Sequence, residues 1–152
     1  MKLAEALIER ADLKTKIRML NARLISNAKV QEGLKPNEDP KDLLKELDEK
    51  LNRMEHLIVC INKTNETTLN REGKTISSLI ARRDVLTNKL SLISSFVDSG
   101  NALINRVSHS EIKTLATFNV VDMQKKIDKL SQEIRLLDTS IQELNWLTDL
   151  VE

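Results

Sequence analysis

Seven aliphatic residues, Met123, Ile127, Leu130, Ile134, Leu137, Ile141 and Leu144, recur in strict four-three alternation. That average spacing of 3.5 nearly matches the turn of an α-helix, so all seven fall on one stripe, whose simplest use is to face another helix, as in a coiled coil. The spacing predicts a helix over about 121–150, about 45 Å long at about 1.5 Å per residue.

The same rhythm occurs three more times. Ala6, Leu13, Ile17, Leu20 and Leu24 mark a first helix over about 2–27, with Arg10 in the slot where an apolar residue would complete the stripe. Pro36 and Pro40 punctuate the connection, and Asp39-Pro40 supplies an N-cap acid followed by proline at the first helical position. A second helix, over about 40–66, carries Leu44, Leu47, Leu51, Met54, Ile58 and Ile61, after which Asn65 takes the next slot of the register and Asn62 lies beside it. A third, over about 75–97, follows Gly73 and repeats through Ile76, Leu79, Arg83, Leu86, Leu90 and Ile93.

Three Gly and two Pro in 152 residues cannot serve the many turns of a sandwich or barrel, nor the Gly-rich corners of a nucleotide-binding α/β fold. The chain length suits a single domain, here 1–152. Cys60 is the sole cysteine, which removes an intrachain disulfide and suits a reducing compartment. Glu5, Glu9, Arg10 and Asp12 interrupt the amino-terminal apolar residues, and no stretch approaches the roughly 20 apolar residues of a membrane span. A cytoplasmic protein without a constitutive span is therefore expected. Basic residues exceed acidic ones only by 24 to 23, so net charge gives no reason to expect nucleic acid as a partner.

Between the third and fourth helices the period changes. Ile112, Thr114, Ala116 and Phe118 alternate, and β-branched residues are dense, which reads as a strand. With Ser108-His109-Ser110 as the turn and Leu103 to Val107 as the partner, a short β-hairpin arm over about 103–118 is expected. Such a hairpin is marginal alone, so it should lie on the helices or pair with another subunit.

Charge alternates helix by helix. Residues 1–30 hold seven basic and three acidic side chains, 37–60 four and seven, 71–98 five and three, and 120–152 four and seven. Sequential antiparallel neighbours are thereby matched in sign, each pair worth a few tenths of a kcal/mol. The expected fold is mainly α: an antiparallel four-helix bundle or long helical hairpins, with the β-hairpin arm between helices 3 and 4.

Chemistry-bearing residues are few. Gly73-Lys74-Thr75 resembles the end of a phosphate-binding loop, but Thr68 stands where that pattern needs its first glycine, and a helix precedes it rather than a strand. His56 and Cys60 share a helix face without a third ligand in the pattern. No catalytic constellation, metal set or cofactor motif emerges. The unusual polarity lies in the seams: Arg10, Asn65 and Arg83, with Asn62 and Asp84 as available partners, form either a polar pocket or inter-subunit lock, or surface positions where a guanidinium reaches water over its own stem. Trp146, with Leu150 one turn on, either caps the helices or meets a partner, and Ile112 and Phe118 join them as interface candidates of a homo-oligomer.

Met1-Lys2-Leu3-Ala4-Glu5-Ala6-Leu7, Ala11-Asp12-Leu13, Val30-Gln31-Glu32-Gly33 with Glu38-Asp39-Pro40, Ile61-Asn62-Lys63-Thr64-Asn65, Ala81-Arg82-Arg83-Asp84, Ser110-Glu111-Ile112-Lys113, and Ile141-Gln142-Glu143-Leu144-Asn145-Trp146 with Thr148-Asp149-Leu150 together resemble the septicolysin-like family. The resemblance spans essentially the whole chain. It implies a bacterial, mainly helical protein, and the family's name implies a cytolysin, with no catalytic or pore-lining residue to carry over. The heavily charged helices speak against a constitutive pore, since only the hairpin arm could insert. The residues favour a non-enzymatic, self-associating structural or interaction protein.

Overall fold

The computed structural model describes residues 1–102 and 114–152. Four helices follow one another: α1 (Leu3–Ser26), α2 (Pro40–Thr67), α3 (Ile76–Ala102) and α4 (Val120–Leu147). Two compact units contain them, one of Met1–Thr75 with Leu144–Glu152 and one of Ile76–Glu143.

In the first unit α1 and α2 are antiparallel neighbours. The α1 helix starts where the Glu5 carboxylate accepts the Lys2 backbone N–H at 2.7 Å, satisfying one of the donors a helix start leaves free. It ends at Asn27, whose side-chain amide donates to the Arg23 carbonyl at 2.9 Å while its oxygen accepts the Glu38 N–H at 3.0 Å. One buried asparagine thus closes α1 and fixes the connection to α2, which turns at Gly33 with φ +87°. Asp39 caps α2 by accepting the Lys41 N–H at 2.9 Å, with Pro40 at the first helical position.

Leu3, Ala4, Ala6, Leu13 and Leu20 of α1 and Leu43, Leu57, Cys60 and Ile61 of α2 are the buried apolar residues of this unit. Residues 1–2 and 148–151 add to it. Leu3 N–H donates to the Thr148 carbonyl at 3.0 Å, Leu150 N–H donates to the Met1 carbonyl at 2.9 Å, and Lys2 Nζ lies 2.9 Å from Asp149.

The buried face of α2 differs from the expected seam. Leu44, Leu51 and Ile58 of the unbroken repeat are exposed, Leu47 and Met54 are half-buried, and only Ile61 is buried. The stripe that faces α1 is instead 43, 46, 50, 53, 57, 60 and 64, also in three-four spacing, with Leu43, Leu57, Cys60 and Thr64 buried at its ends and half-buried Glu46 and Lys50 and exposed Arg53 in its middle. Arg53 makes two hydrogen bonds to Glu9, at 2.8 and 2.9 Å. Glu46 pairs with Arg23 at 3.3 Å and with Lys50 at 3.1 Å, and Arg23 also grips Glu38. A charged centre to the true seam is what directs the eye to the wrong one.

These ion pairs set a pH dependence. Arg53 holds the Glu9 carboxyl below its usual range, Arg23 does the same to Glu38, and Lys2 to Asp149, in each case first through a hydrogen bond. Carboxyls depressed in the folded state stabilise it above the unfolded value of about 4 and lose that contribution as pH falls through their lower folded values. The expected result is a melting temperature that declines below about pH 4, less steeply in Arg53→Gln than in the parent and less steeply in high salt. An identical acid profile for parent and variant would mean the Glu9–Arg53 pair contributes nothing.

In the second unit α3 and α4 also run antiparallel: Arg82–Glu133 at 2.9 Å and Arg83–Asp138 at 3.3 Å join the first part of α3 to the middle and later part of α4, while Phe96, near the end of α3, meets Phe118, just before α4. Ile76, Leu79, Leu86, Val97, Leu130 and Ile141 are buried. The expected seams of α3 and α4 hold here, since every other member of both is at least half-buried.

The β-hairpin arm is not found where it can be seen. Residues 114–118 form no strand, and Leu103 to Val107, His109 and Ile112 lie outside the described residues. Phe118 packs on Phe96 of α3 with ring centroids 4.5 Å apart. The alternation read as a strand is, at its carboxyl end, the approach of one aromatic ring to a helix. Gly100 makes this fit, because a Cβ there would lie 2.4 Å from the Phe118 ring. In Gly100→Ala the ring must leave its place; the helix-propensity gain of about 1 kcal/mol then opposes the lost aromatic contact of about 1 kcal/mol. Near-neutral stability is expected, with loss of Phe96–Phe118 nuclear Overhauser contacts; contacts that persist would place the ring elsewhere.

Candidate functional site

The polar seam residues divide between the two units. Arg83 and Asp84 belong to one unit, Arg10, Asn62 and Asn65 to the other. Arg10 is half-buried, Asn62 exposed and Asn65 half-buried.

Arg83 leans along α3 to its own neighbour. Its guanidinium donates to Asp84 Oδ1 at 3.0 and 2.8 Å and to Asp138 Oδ1 of α4 at 3.3 Å. Hydrogen bonding to Asp84 first, and then to Asp138, holds its pKa above the ordinary guanidinium value against partial burial. Asp84 was legible as a partner from sequence adjacency; Asp138 was not, because it requires the α3–α4 register. With both carboxylates on the wet side, this is a clamp between two helices, and Arg83→Met is expected to cost about 1 kcal/mol or less in urea denaturation. A loss of about 3 to 5 kcal/mol would instead mark a buried lock.

The polar group that is truly interior is Thr64. It occupies the slot expected for Asn65, is fully buried, donates its hydroxyl to the Cys60 carbonyl at 2.7 Å and accepts the Val151 N–H at 2.9 Å. A threonine hydroxyl both gives and takes, so one side chain satisfies a helix carbonyl and an N–H of the last segment. Asn145 and Asn27 are the other buried polar residues among those described. Thr64 lies in a polar run and Asn145 beside the α4 stripe, where no apolar period marks them, whereas Asn27 takes the next slot of the α1 stripe after Leu24 and was passed over because it is polar.

His56 and Cys60 do meet, Sγ lying 3.6 Å from Nε2, with the thiol buried and the imidazole exposed. Among the described residues no group of three or more His, Cys, Asp or Glu is placed to hold a metal ion. The Gly73-Lys74-Thr75 segment is a tight turn: Asn70 Oδ1 accepts the N–H groups of Glu72 and Lys74 at 3.0 and 2.9 Å, Asn70 N–H donates to the Lys74 carbonyl at 2.8 Å, and Gly73 has φ +77°. Its loop amides are thus engaged in making the entry to α3.

The interface candidates divide. Trp146 is 55% exposed and Leu147 beside it is exposed as well. Leu150 is half-buried in the pairing with Met1, and Phe118 is half-buried on Phe96. Phe96, Gly100, Leu115 and Phe118 line a mostly apolar hollow of about 200 Å³ in the second unit.

No helix among the described residues is long and apolar enough to cross a membrane. No curated protein matches the chain. A functionally unknown conserved protein from Corynebacterium diphtheriae, known from its crystal structure, is similar in fold with a TM-score of 0.90 and 41% identity over 99% of each chain. The model of a family of unknown function, DUF6847, matches residues 10–150, and the chain belongs to that family.

Proposed function

We propose that the protein is a non-enzymatic structural or interaction module of the cytoplasm that works by associating with itself. The observation that carries this reading is that α1, α2 and α3 each expose apolar residues beside a buried apolar stripe, as Leu44, Leu51 and Ile58 do in α2. In α1 the core stripe Leu3, Ala6, Leu13 and Leu20 is matched by exposed Ile8, Met19 and Ile25; in α3 the stripe Ile76, Leu79, Leu86 and Val97 is matched by exposed Val85, Leu92 and Phe96. A helix that only covers one core needs one such stripe, and exposed apolar stripes are the usual mark of a surface that meets a partner.

Sedimentation equilibrium across micromolar concentrations tests the reading: the weight-average mass is expected to rise above one chain, and a single-chain mass throughout would overturn it. The activity implied by the septicolysin-like resemblance is tested beside it. Liposomes are expected to keep their dye; release would replace the interaction reading by a cytolytic one.

A further inference from the structure

Along the exposed side of α1, Ile8, Ala11, Thr15, Arg18, Ala22 and Ile25 stand at intervals of three, four, three, four and three, and all six are exposed. Ile8 is 60% and Ile25 68% exposed, although both are large aliphatics. Read from either end the stripe has the same order of classes: isoleucine, alanine, polar, polar, alanine, isoleucine. A two-fold axis between two copies brings a surface onto its own reverse, so a stripe that is its own reverse fits such an axis.

We propose that α1 pairs antiparallel with α1 of a second copy through this stripe. The inference rests on the self-association reading and names its surface. Ile8 meets Ile25 of the second copy at each end, Ala11 meets Ala22, and at the centre Thr15 meets Arg18. Alanines facing each other let two helices approach closely, and isoleucines at the ends seal the contact. Thr15 uses its hydroxyl hydrogen toward the Ala11 carbonyl at 3.4 Å, which leaves its oxygen lone pairs for Arg18. One turn away stands Asp12, now bound to Lys16 at 2.6 Å, a carboxylate of the sign Arg18 needs. A slip of one heptad would set Arg18 against Ile8 in one direction, and Arg18 against Ala22 with Thr15 against Ile25 in the other, so the two central polar residues fix the alignment as a polar seam residue does in a coiled coil. One helix face is small beside the roughly 1,200 Å² of stable interfaces, so a dimer in the micromolar range is expected rather than an obligate one.

The test uses single-cysteine additions at exposed positions of the full chain. A chain with Ala11→Cys mixed with a mass-tagged chain carrying Ala22→Cys is expected to give the mixed cross-link with a short thiol reagent, in excess of either like-with-like product by at least about tenfold. Ala11→Glu with Ala22→Glu is expected to weaken dimerisation by at least about tenfold, with unchanged helical circular dichroism. If the parent associates but the mixed cross-link is absent and the double glutamate variant associates equally well, this surface is wrong and self-association stands. If the parent keeps a single-chain mass, both fall. If that single chain instead co-sediments with vesicles containing phosphatidylglycerol and the double glutamate variant does not, the face belongs to a membrane surface and the pairing is overturned.

Discussion

Leu57→Ala is expected to lower unfolding stability by about 2 to 5 kcal/mol, whereas Leu51→Ala, six residues away in the same helix, costs less than about 1 kcal/mol. Leu57 is 0% exposed and Leu51 44% exposed, so truncating the first leaves a cavity among packed neighbours and truncating the second leaves water to fill the space. The unbroken heptad makes the opposite assignment, because Leu51 sits at its centre and Leu57 lies outside it. Urea denaturation of the two variants reads the difference directly. Equal losses would mean that Leu51 is sheltered in solution, either within the chain or by a partner, and repeating the measurement at several protein concentrations separates those cases.

The second large effect is at Thr64. Thr64→Val keeps the shape and removes the hydroxyl that donates to Cys60 and accepts from Val151, so the Val151 N–H loses its acceptor where the side chain it faced was fully buried. Leaving such a group unpaired costs about 1 to 3 kcal/mol. Thr64→Ser retains the hydroxyl and is expected to recover most of it, while Thr67→Val, at an exposed position one turn on, should be nearly neutral. Amide exchange adds a local readout, because the Val151 N–H should lose protection in Thr64→Val and keep it in Thr64→Ser. Thr64→Val with parental stability and parental Val151 protection would show that residues 148–151 are held by something other than this hydroxyl.

Both results turn on what the amino-acid order discloses. The four helices, the Asp39-Pro40 start and the seams of α1, α3 and α4 were legible because an apolar period, a capping acid and a proline are local signals. The working face of α2 was hidden because Glu46, Lys50 and Arg53 occupy its middle, and an ionic ladder to α1 looks like a solvated face until the Glu9 and Arg23 partners are in place. Asn27 and Thr64 were missed for a related reason, their partners being backbone groups that only the fold brings close. Residues 114–118 show the reverse failure. Alternation there suggested a strand, yet Phe118 is sheltered by the ring of Phe96 and the bare backbone at Gly100, which no periodicity encodes.

The allocation of apolar side chains between interior and free surface supports the whole reading, and methyl NMR with a soluble paramagnetic agent measures it residue by residue. Methyls of Leu3, Leu20, Leu57 and Ile61 should stay sharp, those of Leu44, Leu51 and Ile58 should broaden, and Ile8 and Ile25 should broaden in dilute solution but be shielded as concentration rises. Sharp Leu44 and Leu51 signals beside a broadened Leu57, or Ile8 and Ile25 methyls equally accessible at every concentration, would contradict it.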